Sequence, residues 1–103
     1  MGMMVEGAWR DDWYDTRVSG GEFVRPETAF RNQVSADGST GFPAAAGRYH
    51  LYVAFACPWA HRTLIFRKLK KLEDVISTSV VHHFLGEDGW TFLAQDGGTG
   101  DHL

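Results

Sequence analysis

The chemistry of this 103-residue chain centres on Cys57, its only cysteine. The residue opens the sequence Cys-Pro-Trp-Ala-His-Arg at 57–62, with an apolar, strand-like run before it and an amphipathic run after it. A thiol at such a junction lies at the start of a helix, where the helix dipole and the unpaired first-turn N–H groups favour a thiolate. The sequence therefore predicts that Cys57 is a nucleophile. The alternative is a small buried hydrophobe, the common fate of a free cysteine.

The spacing around Cys57 indicates a mechanism with a single thiol. Redox proteins of the thioredoxin fold that carry two cysteines use Cys-x-x-Cys, and the second position is Ala60 here. A mixed disulfide on Cys57 would therefore need an external thiol to resolve it, and glutathione is the abundant one in the cytosol. A lone cysteine also excludes an internal disulfide, which favours a reducing, cytoplasmic location.

Two further side chains of the motif could act on the thiol. His61 follows Cys57 by four residues, so the two could face each other across one helical turn. His61 is then a base or thiolate partner, half of a metal site with Cys57 and His82 or His83, or a structural or solvent-facing histidine. Arg62 could support the thiolate or form an ordinary salt bridge. Because the spacing of a structural zinc site is missing, we predict no metal.

Composition excludes several other functions. The net charge of −3 gives no basic surface for nucleic acid or an anionic membrane. No apolar run approaches the roughly 20 residues that span a bilayer. The start, at 1–10, contains Glu6 and lacks the apolar core of a secretory signal. We therefore expect neither nucleic acid nor membrane as a partner.

The apolar pattern predicts an α/β unit. Residues 48–56 read as a buried strand and 75–81 as a second, β-branched strand. Between them, at about 58–72, apolar residues from Ala60 to Leu72 recur at helical spacing and predict a face directed at the core. A strand, a helix and a strand at this spacing form a βαβ unit with two parallel strands. Before it, 1–47 is predicted as an irregular arm and loop, and after 48–93 the glycine-rich 94–103 as a disordered tail.

An aromatic residue between turn residues marks the segment at 86–92, Gly-Glu-Asp-Gly-Trp-Thr-Phe. Trp90 follows the second predicted strand closely. It could form the wall of a ligand pocket, or it could be a hydrophobic plug that closes a small core.

Four segments in one order resemble the N-terminal part of the glutathionyl-hydroquinone reductases, the Xi-class glutathione transferases. They are Phe-Arg-Asn-Gln at 30–33, Gly-Arg-Tyr-His-Leu-Tyr-Val at 47–53, Cys-Pro-Trp-Ala-His-Arg-Thr at 57–63, and the segment at 86–92. The resemblance implies that 48–93 is a partial thioredoxin-like, glutathione-binding domain, the βαβ half of a glutathione transferase N-terminal domain. It also implies a helical C-terminal domain and homodimers in the full-length family.

The same resemblance implies a reaction. Glutathione, as co-substrate, would reduce a glutathionyl-hydroquinone to the hydroquinone through a mixed disulfide between Cys57 and glutathione. Trp90, Pro58 and Trp59 would bind glutathione, with His61 and Arg62 as candidate support for the thiolate.

Family members are considerably longer than this chain. The resemblance therefore carries an alternative: a truncated, catalytically incompetent form with weak thiol exchange or glutathione binding at most. One local departure is His83, at a position where the family often has proline.

Overall fold

The computed structural model describes residues 2–12, 15, 17–25 and 27–103. In chain order its elements are β1 (Met3–Val5), β2 (Ala8–Arg10), β3 (Tyr49–Val53), α1 (Pro58–Leu69) and β4 (Ile76–Val80). They belong to two compact units, Met1–Ala44 and Ala45–Leu103. Within the described ranges, no helix has both the length and the apolar character needed to cross a membrane.

The first unit contains a hairpin inside the arm that the sequence predicts to be irregular. β1 and β2 pair antiparallel, with Val5 opposite Ala8. The two loop residues between them, Glu6 and Gly7, both have positive φ, 51° and 81°. This is the backbone of a type I′ turn, whose usual signal is Asn-Gly or Asp-Gly. Residues 1, 13, 14, 16 and 26 of the predicted arm lie outside the described residues.

The second unit is built on the predicted parallel βαβ unit, which is confirmed. β3 and β4 are parallel neighbours, and their last residues, Val53 and Val80, lie opposite each other. The Val81 N–H continues the ladder to the Val53 carbonyl at 2.8 Å. Val53 and Val80 are 3% and 8% exposed, and with Ala54 and Val81 they are the buried apolar residues of the described chain. The core therefore lies at the carboxyl end of the two strands.

The helix presents less of its apolar face to this core than the sequence predicts. Ala60, Leu64 and Leu72 are half-buried, whereas Ile65 is 44% and Leu69 70% exposed. The sheet against which α1 packs has two strands in the described chain. Such a narrow sheet covers only one side of the apolar stripe, which leaves the other side open.

A Schellman motif ends α1. The Lys71 N–H donates to the Lys68 carbonyl at 3.0 Å, and the Leu72 N–H donates to the Arg67 carbonyl at 2.9 Å. Lys71 adopts φ 55°, the left-handed conformation that favours glycine at this position. The Arg67 guanidinium then ties the helix end to the next strand, because its Nε donates to the Ile76 carbonyl at 2.8 Å.

We expect Lys71→Gly to stabilise the protein by about 1 kcal/mol, because glycine removes the steric penalty of the left-handed backbone. Urea denaturation measures the gain. The matched control is Lys70→Gly, at φ −85°, where glycine only adds flexibility and lowers the free energy of unfolding by up to about 1 kcal/mol. Equal effects of the two substitutions would contradict the prediction.

One face of the β3–β4 pair is polar. His50 lies opposite Ser77 in the register, with its Nδ1 2.6 Å from the Ser77 hydroxyl. Its Nε2 is 2.7 Å from the hydroxyl of Ser79. Ser79 is fully buried, so the bond to Nε2 satisfies a hydroxyl that water does not reach.

Residues 94–103, which the composition predicts to be disordered, have defined contacts with β4. The Thr99 N–H donates to the Val80 carbonyl at 2.9 Å, and the Thr99 hydroxyl accepts from the Val80 N–H at 2.9 Å. The His102 N–H donates to the Ser79 hydroxyl, also at 2.9 Å. Composition gives no sign of these contacts, because they depend on polar atoms of β4 that the tail reaches only in the fold. The predicted domain boundaries themselves stay predictions.

The tail contains a carboxylate with a perturbed pKa. Two donors reach the Asp101 carboxylate, the Leu103 N–H at 3.0 Å and the Tyr52 hydroxyl at 3.0 Å. They hold the pKa of Asp101 below its ordinary value of 3.8, with the Leu103 N–H the larger cause. A lowered pKa means that ionised Asp101 favours the folded state. Its contribution is therefore present above about pH 4 and is lost as the pH falls through the folded-state pKa.

We expect an NMR titration to show this directly. The Leu103 amide resonance should titrate with a midpoint below 3.8, and Asp101→Asn should abolish that titration because no ionisable group remains there. Tyr52→Phe is the control that keeps the carboxylate but removes one donor, so its midpoint should move up toward the ordinary value. A midpoint at or above the ordinary value in the unmodified chain would contradict this assignment.

Candidate functional site

Cys57 lies at the N-cap of α1, directly after the buried end of β3. The chain turns there, with the Cys57 N–H donating to the Ala54 carbonyl at 3.0 Å. Cys57 is extended, with φ −96° and ψ 115°, while its carbonyl accepts the first helical bond, from the His61 N–H at 3.1 Å. Pro58 follows as the first helical residue, where its fixed φ and missing N–H suit the helix start. The sequence predicts this placement.

The surroundings of the Cys57 thiol leave it available for reaction. The side chain is half-buried and makes no capping hydrogen bond to the helix. The first turn of α1 contains no acidic residue, and the basic Arg67 and Lys68 lie in the last turn. A thiolate at Cys57 would therefore be the negative group at the positive end of the helix dipole. This arrangement suits nucleophilic attack on a sulfur atom.

An exposed aromatic and cationic pair follows the cysteine. The Arg62 guanidinium carbon lies 5.2 Å from the centre of the Trp59 ring, a cation–π distance. Trp59 is 59% exposed. His61 is exposed one turn from Cys57. Across the described residues, no three or more His, Cys, Asp or Glu side chains come together in a group that could hold a metal ion.

Trp90 lies on a loop that returns to the end of β4. The loop turns at Gly86 and Gly89, where the Gly89 N–H donates to the Gly86 carbonyl at 3.1 Å and Gly89 adopts φ 76°. The next residue after Trp90, Thr91, accepts a hydrogen bond at its carbonyl from the His82 N–H at 2.9 Å. Trp90 is 38% exposed, so part of its indole remains open to a ligand.

Cys57 and Trp90 thus follow the carboxyl ends of neighbouring parallel strands. Cys57 comes after β3, and Trp90 comes after β4, whose ends are in register. In open α/β sheets, ligands bind outside this edge. Cys57, the predicted nucleophile, and Trp90, the predicted aromatic wall, therefore both follow the same edge of the sheet.

His82, which sequence reasoning considers only as a metal ligand, contacts the loop that carries Trp90. Its Nδ1 accepts a hydrogen bond from the Phe84 N–H at 3.2 Å, and its backbone N–H holds Thr91. The one available sequence signal is its place directly after the second predicted strand. The contact with Thr91 depends on how the loop returns, which no local pattern reveals.

Comparison with known proteins agrees with the resemblance found in the sequence. No protein-family profile matches the chain. The glutathionyl-hydroquinone reductase PcpF of Sphingobium chlorophenolicum is 56% identical over 96 residues, covering 93% of this chain and 29% of PcpF. The glutathionyl-hydroquinone reductase YqjG of Escherichia coli K12 is 54% identical over an alignment of 110 residues, covering 100% of this chain and 34% of YqjG.

Solved structures give the same result. A Xi-class GST from Natrialba magadii matches with a TM-score of 0.79 and 50% identity, covering 99% of this chain and 29% of that one. The glutathione-bound structure of E. coli YqjG matches with a TM-score of 0.68 and 57% identity, covering 72% and 26%. The chain spans about a third of the length of its curated relatives. Over that span, this chain, with its partial thioredoxin-like fold, is similar to part of the glutathionyl-hydroquinone reductases, the Xi-class glutathione transferases.

Proposed function

We propose that this chain carries the nucleophile of a glutathione-dependent reduction of glutathionyl-hydroquinones. The Cys57 thiolate attacks the sulfur that joins glutathione to the quinol ring. The S–S bond of a mixed disulfide between Cys57 and glutathione forms while the ring C–S bond breaks, and the ring carbon keeps the electron pair and takes a proton from solvent. A second glutathione thiolate then attacks the mixed disulfide. It releases glutathione disulfide and returns the Cys57 thiolate, so the two glutathione sulfurs are oxidised and the ring is reduced.

The observation that carries this proposal is the half-buried Cys57 thiol at the N-cap of a helix that has no acidic residue in its first turn. A helix N-terminus favours the thiolate on which both steps depend. The names of PcpF and YqjG as glutathionyl-hydroquinone reductases support the substrate class. The glutathione-bound form of YqjG supports glutathione as the co-substrate.

Residues near Cys57 would bind glutathione or stabilise the thiolate. Trp90 presents an open indole at the carboxyl edge and would form a wall of the glutathione site. Pro58 fixes the chain direction after the thiol, and Trp59 adds an exposed aromatic surface beside it. Arg62, held over Trp59, and His61, one turn from Cys57, would add positive charge or a proton acceptor near the thiolate.

The cellular setting follows from the chemistry. A thiol that needs external glutathione for turnover suits the cytoplasm, where glutathione is abundant and reduced. We also propose that the functional assembly is a homodimer, as the family resemblance implies.

Intact mass spectrometry tests the first part of the proposal. Incubation with glutathione disulfide should add one glutathione to the chain, and excess glutathione should remove it. Because Cys57 is the only cysteine, the adduct identifies its own position. Absence of an adduct on the folded chain would contradict a nucleophilic Cys57.

Chromatography tests the second part, by following hydroquinone release from a glutathionyl-hydroquinone in the presence of glutathione. Release that depends on the chain supports the reductase. Formation of the adduct without release of hydroquinone would instead support the alternative, a chain limited to thiol exchange. The share of its relatives that the chain spans, about a third, favours keeping this second candidate.

A further inference from the structure

His82 makes hydrogen bonds to both ends of the segment that carries Trp90, here called the Trp90 loop (residues 83–91). At the near end, its Nδ1 accepts from the Phe84 N–H at 3.2 Å. At the far end, its backbone N–H donates to the Thr91 carbonyl at 2.9 Å. The His82 side chain is 13% exposed, whereas its partner Phe84 is 66% exposed. One residue therefore closes the loop at its base.

The bond from Phe84 sets the tautomer of the imidazole. Nδ1 can accept only while it carries no proton, so in the neutral ring the proton lies on Nε2. Nε2 is 3.5 Å from an Asp96 carboxylate oxygen, an acceptor suited to that proton. The ring of His83 lies beside it, with 4.4 Å between ring centres. Asp96 and His83 are thus the titratable neighbours that the described contacts give to this imidazole.

Contacts inside the loop link Phe84 to the turn at Gly86 and Gly89. A backbone bridge joins Gly86 and Gly89. The Phe84 ring lies against Gly86, so closely that a Cβ there would be 2.9 Å from a ring carbon. The bond from Phe84 to His82 therefore holds a residue whose ring contacts the turn at Gly86. The bond from His82 to Thr91 holds the residue next to Trp90.

We propose that His82 is a positioning residue: its unprotonated Nδ1 fixes the Trp90 loop, and through that loop it sets the affinity for glutathione. The second clause rests on the proposed function of Trp90. His82 itself does not contact the reacting sulfur atoms. Its loss should therefore weaken glutathione binding without changing the intrinsic reactivity of the Cys57 thiol.

Two substitutions separate the acceptor from the rest of the ring. In His82→Asn, the side-chain oxygen can take the place of Nδ1 and accept from Phe84. In His82→Gln, the longer side chain places its amide nearer the position of Nε2, away from the Phe84 N–H. Amide hydrogen exchange at Phe84, calorimetric glutathione affinity and the rate of Cys57 alkylation by iodoacetamide are measured for each.

For His82→Gln we expect Phe84 exchange to accelerate about five- to tenfold and glutathione binding to weaken by a similar factor, the scale of one lost hydrogen bond. His82→Asn should stay near the unmodified chain, and alkylation of Cys57 should be the same in all three. Equal Phe84 exchange in all three proteins, or an equal defect in both variants, would overturn the role of His82.

Two further outcomes remain decisive. If His82→Gln does not fold, the ¹⁵N shifts of the imidazole in the unmodified chain give the test: a proton on Nε2 supports the proposal, and a proton on Nδ1 overturns it. If the unmodified chain binds no glutathione, the proposed function is wrong, and so is the proposal that His82 sets the affinity for glutathione. The positioning of the loop is then decided by the exchange rates alone.

Discussion

Replacing Cys57 by serine should abolish the mixed disulfide with glutathione and lower hydroquinone release by about a thousandfold or more. A serine hydroxyl is a far weaker nucleophile at neutral pH, and it cannot form a disulfide. Serine is also a preferred N-cap residue, so α1 should keep its start and the protein should remain folded. Intact mass after treatment with glutathione disulfide, and chromatographic turnover, measure the two losses.

The matched control for this substitution is Ala56→Ser. It introduces the same residue at the exposed position before Cys57 and leaves the thiol in place, so adduct formation and turnover should remain within about a factor of two of the unmodified chain. Full turnover by Cys57→Ser would show that the reaction does not pass through a covalent intermediate on this residue. The proposed function would then be wrong.

Val53→Asp should unfold the second unit, so that Cys57 no longer lies at the start of a helix. Val53 is 3% exposed and lies opposite Val80 in the core. An unpaired carboxylate there costs roughly 3–5 kcal/mol, most of the stability that a core of this size provides. Because the end of β3 leads directly into the N-cap, loss of the strand also removes the start of α1. Circular dichroism should show loss of helix, and iodoacetamide should alkylate Cys57 at the rate found in denaturant.

The control carries the same new charge at an exposed site. Val18 is 89% exposed, so Val18→Asp should leave both the spectrum and the alkylation rate unchanged within error. If Val53→Asp retained the native alkylation rate, the reactivity of Cys57 would come from the local sequence at 57–62 and not from the folded helix start.

The strands β3 and β4 and the helix α1 could be predicted because their hydrophobic patterns match the environment that each has in the fold. One amphipathic stretch separates the apolar run at 48–56 from the β-branched run at 75–81. Pro58 marks where the helix begins. The placement of Cys57 followed from the same signals. That Trp90 contacts glutathione stays a prediction of the family resemblance, since composition alone allows both a pocket wall and a core plug.

The features that were missed depend on contacts between residues far apart or on unusual backbone. The β1–β2 hairpin turns through Glu6, a residue that seldom adopts positive φ, so no turn was expected there. Ile65 and Leu69 have the spacing of core residues, but the width of the sheet decides whether they are covered. The role proposed for His82 combines a local bond, from the Phe84 N–H to its Nδ1, with the return of Thr91 to its backbone N–H, and the sequence does not encode that return locally.

The bonds between Thr99 and Val80 also occupy backbone groups with which another strand could pair. Along a parallel strand, successive residues direct their N–H and C=O groups to opposite edges. Val81 bonds to β3, so Val80 directs its groups to the outer edge of β4, where Thr99 occupies both. An exposed strand edge is a template for intermolecular pairing. A strand from another copy would therefore have to displace Thr99 before it could pair with Val80.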